Sequence, residues 1–212
     1  MTPEEILNSE AFQQCAKFHG HVCPGLAIGF KAAQTLMARL GVTRAPDEEL
    51  VAIVETDACG ADAIQVMTGC TLGKGNLILE SYGKHAFSLG DRKRGKMFRA
   101  CLRPEAILSD PEHLALYEKI RKGESEAEEM KSLEQLRERR LEAILRADPD
   151  ALFMVKEIIA GIPQKARIVE SVVCNQCGEL TMVDLLQEIG DQKVCIPCAK
   201  KILNGKKGSS KI

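Results

Sequence analysis

The sequence predicts an α+β domain followed by a small cysteine-rich metal module. Helical patterns come first and short strand-like runs follow, with one obvious strand–helix alternation, an order that favours α+β over a doubly wound sheet. The length of 212 residues fits one domain plus a module. Four of the nine cysteines gather near the C-terminus. The expected division is a core over 1–165 that includes a charged helical segment at 111–148, a four-cysteine module over 166–204, and a disordered basic tail over 205–212.

Thr2-Pro3-Glu4-Glu5 opens a first helix with an N-cap, a proline at the first helical position and an acidic first turn, and this helix is expected to run to Lys17. Two glycines and a proline interrupt the chain between Phe18 and Gly25. Leu26, Phe30, Ala33, Leu36, Met37 and Leu40 then recur at helical spacing up to Gly41, giving a second helix with one buried face. Leu50–Thr56 reads as a buried strand and Ala58–Met67 as a helix directly after it. Asn76–Ser81, His85–Leu89 and Lys96–Leu102 read as strands, the last two joined by the polar turn Gly90–Gly95. In the charged segment, Leu133, Leu136, Leu141, Ile144 and Leu145 form a narrow apolar stripe that suits a solvated helix packed along one side, or a dimer-forming arm. Val169–Val173 leads into the cysteine module, and Ala199–Asn204 is expected to be its terminal helix.

Cys174-Asn175-Gln176-Cys177 and Cys195-Ile196-Pro197-Cys198 are two C-x2-C pairs separated by seventeen residues. Each spacer lets a short turn aim two thiolates at one point, and two such turns complete the tetrahedral shell that structural zinc prefers. Gly178 and Pro197 suit the tight turns. Two disulfides or a thioredoxin-like redox pair are the alternatives; the spacing favours zinc. Four thiolates leave no open position, so this metal folds the local chain rather than doing chemistry.

The second candidate site is Phe18-His19-Gly20-His21-Val22-Cys23-Pro24-Gly25. In an extended segment the imidazoles of His19 and His21 point to one side and could reach one ion. Cys23 stands just before a helix start, where the dipole favours a reactive thiolate. Glu55-Thr56-Asp57-Ala58-Cys59-Gly60-Ala61-Asp62 follows the first strand, and a strand end opening into a helix is a usual ligand site. Cys59 could supply a soft third ligand and leave a fourth position open. The other reading is a loop whose histidines satisfy backbone groups, with Cys59 a small buried residue. Thr68-Gly69-Cys70-Thr71-Leu72-Gly73-Lys74-Gly75-Asn76 fails as a phosphate loop, because three residues rather than four precede Gly-Lys and Gly75 stands where Ser or Thr is needed. It is expected to be a glycine-rich loop that approaches the site closely, and Cys70 an inert thiol or a redox partner of Cys59 or Cys23.

Net charge is −1, tryptophan is absent and aromatics are 4%, which gives no case for nucleic acid from overall charge or base stacking. No apolar run spans a membrane, the acidic N-terminus is unlike a signal peptide, and abundant cysteines without an export signal point to a reducing cytoplasm.

Together, Phe18–Gly25, Asp57–Gln65, Thr68–Thr71 with Gly73–Asn76, and Tyr82-Gly83-Lys84-His85-Ala86-Phe87 resemble the FmdE family of formylmethanofuran dehydrogenase subunits, over Phe18 to Leu102. The terminal module is similar to the zinc finger fused to many members. The resemblance implies a mixed sheet flanked by helices, a treble-clef-like finger and a homodimer. It also implies an active site near the histidine loop and the cysteine after the first strand, with His19, His21 and Cys59 as metal ligands and Cys23 and Asp62 nearby.

Three functions are open. The first is a metal-binding accessory or subunit-like protein of one-carbon or anaerobic redox metabolism, holding zinc in the finger and a second zinc or other transition metal at His19, His21 and Cys59, with redox-enzyme subunits as partners. The second is a stand-alone metal-dependent enzyme with Asp57 or Asp62 as general base. The third is a binding module in which the finger and the cations Arg92, Lys93, Arg94, Lys96, Arg99 and Arg103 contact a protein or nucleic acid.

Overall fold

The computed structural model describes residues 1–107, 111–123, 127–159 and 161–208. Two units separate by their contacts, Met1–Ala166 and Arg167–Ile212.

In the first unit the order is α1 (Pro3–Leu7), α2 (Glu10–His19), α3 (Pro24–Leu40), β1 (Leu50–Val54), α4 (Gly60–Thr68), β2 (Leu77–Leu79), β3 (Ala86–Asp91), β4 (Lys96–Leu102), α5 (Pro111–Lys122), α6 (Ala127–Arg146), α7 (Pro149–Leu152) and β5 (Phe153–Glu157). The five strands form one sheet in the order β2-β1-β3-β4-β5. β1 and β2 are parallel and joined through α4, while β1–β3, β3–β4 and β4–β5 are antiparallel. The fold is α+β, a mixed sheet flanked by helices.

The single N-terminal helix expected from the sequence is two. Ser9 starts a new helix by accepting from the Phe12 N–H, and Asn8 closes the first. The Thr2/Glu5 capping box at α1 is formed on both sides. α3 starts at Pro24, two residues before the expected Leu26.

α3 is the spine of the core, with eleven buried residues. It packs on α2, α4, α6 and on the sheet at β3 and β4. Phe30 meets Phe12 of α2 edge to face, with ring centroids 5.1 Å apart. Its one buried cation, Lys31, donates to the Leu145 carbonyl in the last turn of α6 at 3.3 Å, which satisfies a carbonyl that the helix itself leaves open. Leu133, Ile144 and Leu145 of α6 are buried and Leu136 and Leu141 half-buried, so the stripe of that helix packs into this unit. β5 went unread in the sequence; Phe153 is its only buried residue, so little alternation marks it.

The six basic residues read as a cluster are largely committed within the fold. Arg92 donates to the carbonyls of Glu48, Pro163 and Gln164, Arg94 pairs with Asp91, Arg99 with Glu55, and Arg103 donates to the Asp150 carbonyl.

The second unit contains β6 (Ser171–Val173), β7 (Leu180–Met182), β8 (Leu186–Ile189), β9 (Gln192–Cys195) and α8 (Ile196–Gly208). β6 pairs with β7 and β8 with β9 as two small antiparallel sheets. α8 begins three residues before the expected Ala199 and extends past Asn204 to Gly208, so the expected disordered tail begins helical; residues 209–212 lie outside the described residues. Among the described residues no helix is long and apolar enough to cross a membrane.

Candidate functional site

In the second unit, the first cysteine pair follows β6 and the second straddles the junction of β9 and α8. Gly178 adopts φ +77°, which lets the chain turn back after Cys177, and its N–H donates to the Cys174 carbonyl at 3.0 Å. Pro197 occupies the first turn of α8, where its missing N–H costs nothing. One sulfur from each of Cys174, Cys177, Cys195 and Cys198 lies within 4.8 Å of all the others. Cys177 Sγ and Cys195 Sγ are 3.8 Å apart, close to the edge of about 3.8 Å that Zn–S bonds of about 2.3 Å set in a tetrahedron. Backbone N–H groups, led by that of Cys195, hold the Cys174 thiol down to about 6, while Cys198, facing the other sulfurs, is pushed up to about 12. The four cysteines therefore fit a metal ion.

In the first unit, α2 ends at His19 and Gly20 turns the chain with φ +94°. A side chain at that φ would be strained, so glycine is required there. This turn, not an extended i, i+2 pair, lays the His21 ring against that of His19, with centroids 4.4 Å apart. The chain then enters α3 with Cys23 as N-cap, its sulfur accepting from the Leu26 N–H at 3.3 Å. Asp62, in the first turn of α4, accepts from His19 Nδ1 at 2.7 Å, and Gln65 donates to its other oxygen at 3.4 Å. With Nδ1 so engaged, His19 Nε2 faces Cys23 Sγ at 3.8 Å. One donor atom each from His19, His21 and Cys23 lies within 4.8 Å of the other two, a second group that could hold a metal.

The sequence-favoured trio named Cys59 rather than Cys23. Cys59 is the N-cap of α4 and borders the trio across Gly25, where an added Cβ would touch the Cys59 and Cys23 sulfurs alike. Burial, reinforced by the Cys23 thiol, pushes the Cys59 pKa up. α3 and α4 bring these caps together by crossing at glycines. A Cβ on Gly29 would run into the Gly60 carbonyl, and one on Gly60 would lie 2.8 Å from Phe87 Cζ.

The other sequence candidates are placed apart or otherwise engaged. Asp57 is exposed. Cys70 is fully buried in the core, which pushes its thiol pKa up. The glycine-rich loop does not approach the cluster. Asn76 ties it to the start of β1 by accepting from Thr71 and donating to the Asp47 and Leu50 carbonyls, whereas Cys59 follows the other end of that strand. Burial, helped by the nearby Arg140 charge, lowers the His85 pKa and holds that ring neutral.

A cleft of about 870 Å³ opens over the cluster. His21, Cys23, Gly25 and Cys59 line one side; Met130, Lys131, Leu133, Glu134, Arg137, Glu138 and Leu141 of α6 line the other. Sequence reasoning missed this wall, since nothing in a charged helix with an apolar stripe tells which residue it will face across a gap.

Comparisons with known proteins agree with this architecture. A tungsten formylmethanofuran dehydrogenase FmdE-like protein from Syntrophus aciditrophicus matches with a TM-score of 0.58 and 24% identity, covering 99% of this chain and 95% of that one, which speaks to the fold. A probable S-adenosyl-L-methionine-binding protein of Archaeoglobus fulgidus is 33% identical over 190 residues, 86% of this chain and 50% of that protein. The chain thus spans about half the length of that curated relative. The family model described as FmdE, molybdenum formylmethanofuran dehydrogenase operon, matches residues 18–154. That match takes in the histidine turn, both helix-capping cysteines and the α6 wall, and this protein belongs to the FmdE family.

Proposed function

We propose that this chain is a metal-binding accessory or subunit-like protein of one-carbon and anaerobic redox metabolism, acting as a homodimer with redox-enzyme subunits as partners. Zinc in the four-cysteine unit has a structural role, since a four-thiolate shell leaves no coordination position for a ligand. A zinc or other divalent transition ion at His19, His21 and Cys23 is the working centre.

The observation that carries this reading is the convergence of those three donors, two of which, His21 and Cys23, line an open cleft. His19 has one ring nitrogen fixed, and Asp62 is the residue that fixes it. Asp62 is thereby a positioning residue, and Asp57, exposed, is free of that duty. A metal bound here would supply Lewis-acid polarisation of whatever enters from the cleft. The residues of the cleft bind and orient: Leu133 and Leu141 offer apolar surface, and Lys131, Arg137, Glu134 and Glu138 offer both signs of charge. That open side favours metal-dependent catalysis as the second reading.

The test is metal content per chain on anaerobically purified protein, beside a His19→Ala/His21→Ala variant. Two metals falling to one supports the centre; one metal in both proteins overturns it. S-adenosyl-L-methionine, named for the Archaeoglobus relative, is the first small molecule to titrate into the cleft.

A further inference from the structure

The cleft floor holds one more sulfur than the metal trio uses. Cys59 stands beside Cys23, the two sulfurs flanking Gly25. Gly25 makes the room. A Cβ there would come 3.1 Å from Cys59 Cβ, 3.5 Å from Cys59 Sγ and 3.8 Å from Cys23 Sγ. A side chain at position 25 would therefore crowd the two sulfurs. Their backbones are held in place, because Cys23 and Cys59 stand at the N-cap positions of α3 and α4 and those helices meet closely at Gly29 and Gly60; the Cys23 sulfur also caps its helix. Both cysteines border the cleft, so a small molecule entering it meets both. The remaining cysteines of this unit lack that combination. Cys15 and Cys70 are fully buried, and Cys101 on β4 turns its thiol to the Leu102 carbonyl.

We propose that Cys23 and Cys59 are a reversible dithiol–disulfide couple that exchanges with small-molecule disulfides entering the cleft. Its oxidised form withdraws Cys23 from the metal trio; this last clause rests on the metal reading above, while the couple itself does not. In the forward direction the sulfur of one cysteine, as thiolate, attacks a disulfide R–S–S–R. The S–S bond of the oxidant breaks, a mixed disulfide forms and one R–SH departs. The second cysteine attacks the protein sulfur of the mixed disulfide and expels the other R–SH. Two electrons pass from the cysteine pair to the oxidant, and the two thiol protons end on the two R–SH molecules. A dithiol reductant reverses both steps.

The experiment uses the full chain, reduced and anaerobic, incubated with oxidised glutathione, blocked with N-ethylmaleimide, digested and mapped by mass spectrometry. The expected result is a linked pair of peptides carrying Cys23 and Cys59, loss of those two alkylation sites, and their return after dithiothreitol. In Cys59→Ser, the resolving step is blocked and glutathione remains on Cys23; in Cys23→Ser, it remains on Cys59. Full alkylation of both cysteines in the wild-type chain, or glutathione on each without a link, overturns the couple. Metal analysis of the same samples separates the two readings. A link that forms in a chain holding one metal throughout sinks the metal centre and keeps the couple. Two metals without a link do the reverse. A link accompanied by a fall from two metals to one supports both.

Discussion

Glu55 is buried just beyond the end of β1, and its carboxylate takes two hydrogen bonds from Arg99 of β4, at 2.5 Å and 2.8 Å. Ile53, Ser88 and Arg99 lie in register across β1, β3 and β4, so alternation places Glu55 on the Arg99 face. The guanidinium holds the Glu55 carboxyl below the ordinary carboxylate range against the opposing effect of burial. A depressed folded-state value means that the pair stabilises fully above the unfolded value of about 4.3 and loses its effect as pH falls through the folded value. Glu55→Gln is expected to cost about 2–3 kcal/mol at neutral pH, reduced from the fully buried case because Arg99 is partly exposed. Urea unfolding of both proteins from pH 7 to 3 checks this: the gap should close in acid, and equal midpoints at pH 7 would show that the pair contributes nothing.

At the scale of elements, α3 and α4 decide the site. Alanine is the better helix former by about 1 kcal/mol, so on propensity alone Gly29→Ala stabilises α3. Here the added methyl meets the Gly60 backbone, which cannot swing aside as a side chain can. The expected outcome is a net loss of about 1–3 kcal/mol, seen as a lower Tm, together with weaker metal retention at His19, His21 and Cys23. An unchanged or raised Tm would mean that the helices separate freely. The legibility of elements follows the same division. α3 announced itself through apolar spacing and a glycine stop, and β4 was bounded correctly by its polar hairpin. The break between α1 and α2 escaped notice because Ser9, one hydroxyl in a helical pattern, restarts the helix.

For the whole molecule, each unit has its own apolar cluster. The large one joins α-helices and sheet of the first unit, and the small one gathers Cys174, Val194, Cys195, Cys198 and Ala199. The second cluster is too small to fold without a cross-link or metal, being built on the ligands themselves. Cys174→Ser is expected to release one metal per chain and abolish hydrogen-exchange protection across Arg167–Asn204, while the first unit keeps its Tm. Loss of protection throughout the chain would make the module integral to the core's stability.

What the sequence determined by itself is what short-range spacing can encode. Two C-x2-C turns, the helix caps, the strand candidates and the family motifs all depend on residues a few positions apart, where backbone geometry alone relates spacing to direction. The tertiary structure decided which donors meet. His19 and Asp62 lie 43 positions apart, and only the packing of α2 and α3 on α4 brings them to 2.7 Å. The same packing put Cys23 in the trio and Cys59 beside it, because the close approach of two helices at Gly29 and Gly60, rather than any local pattern, sets where their N-caps stand.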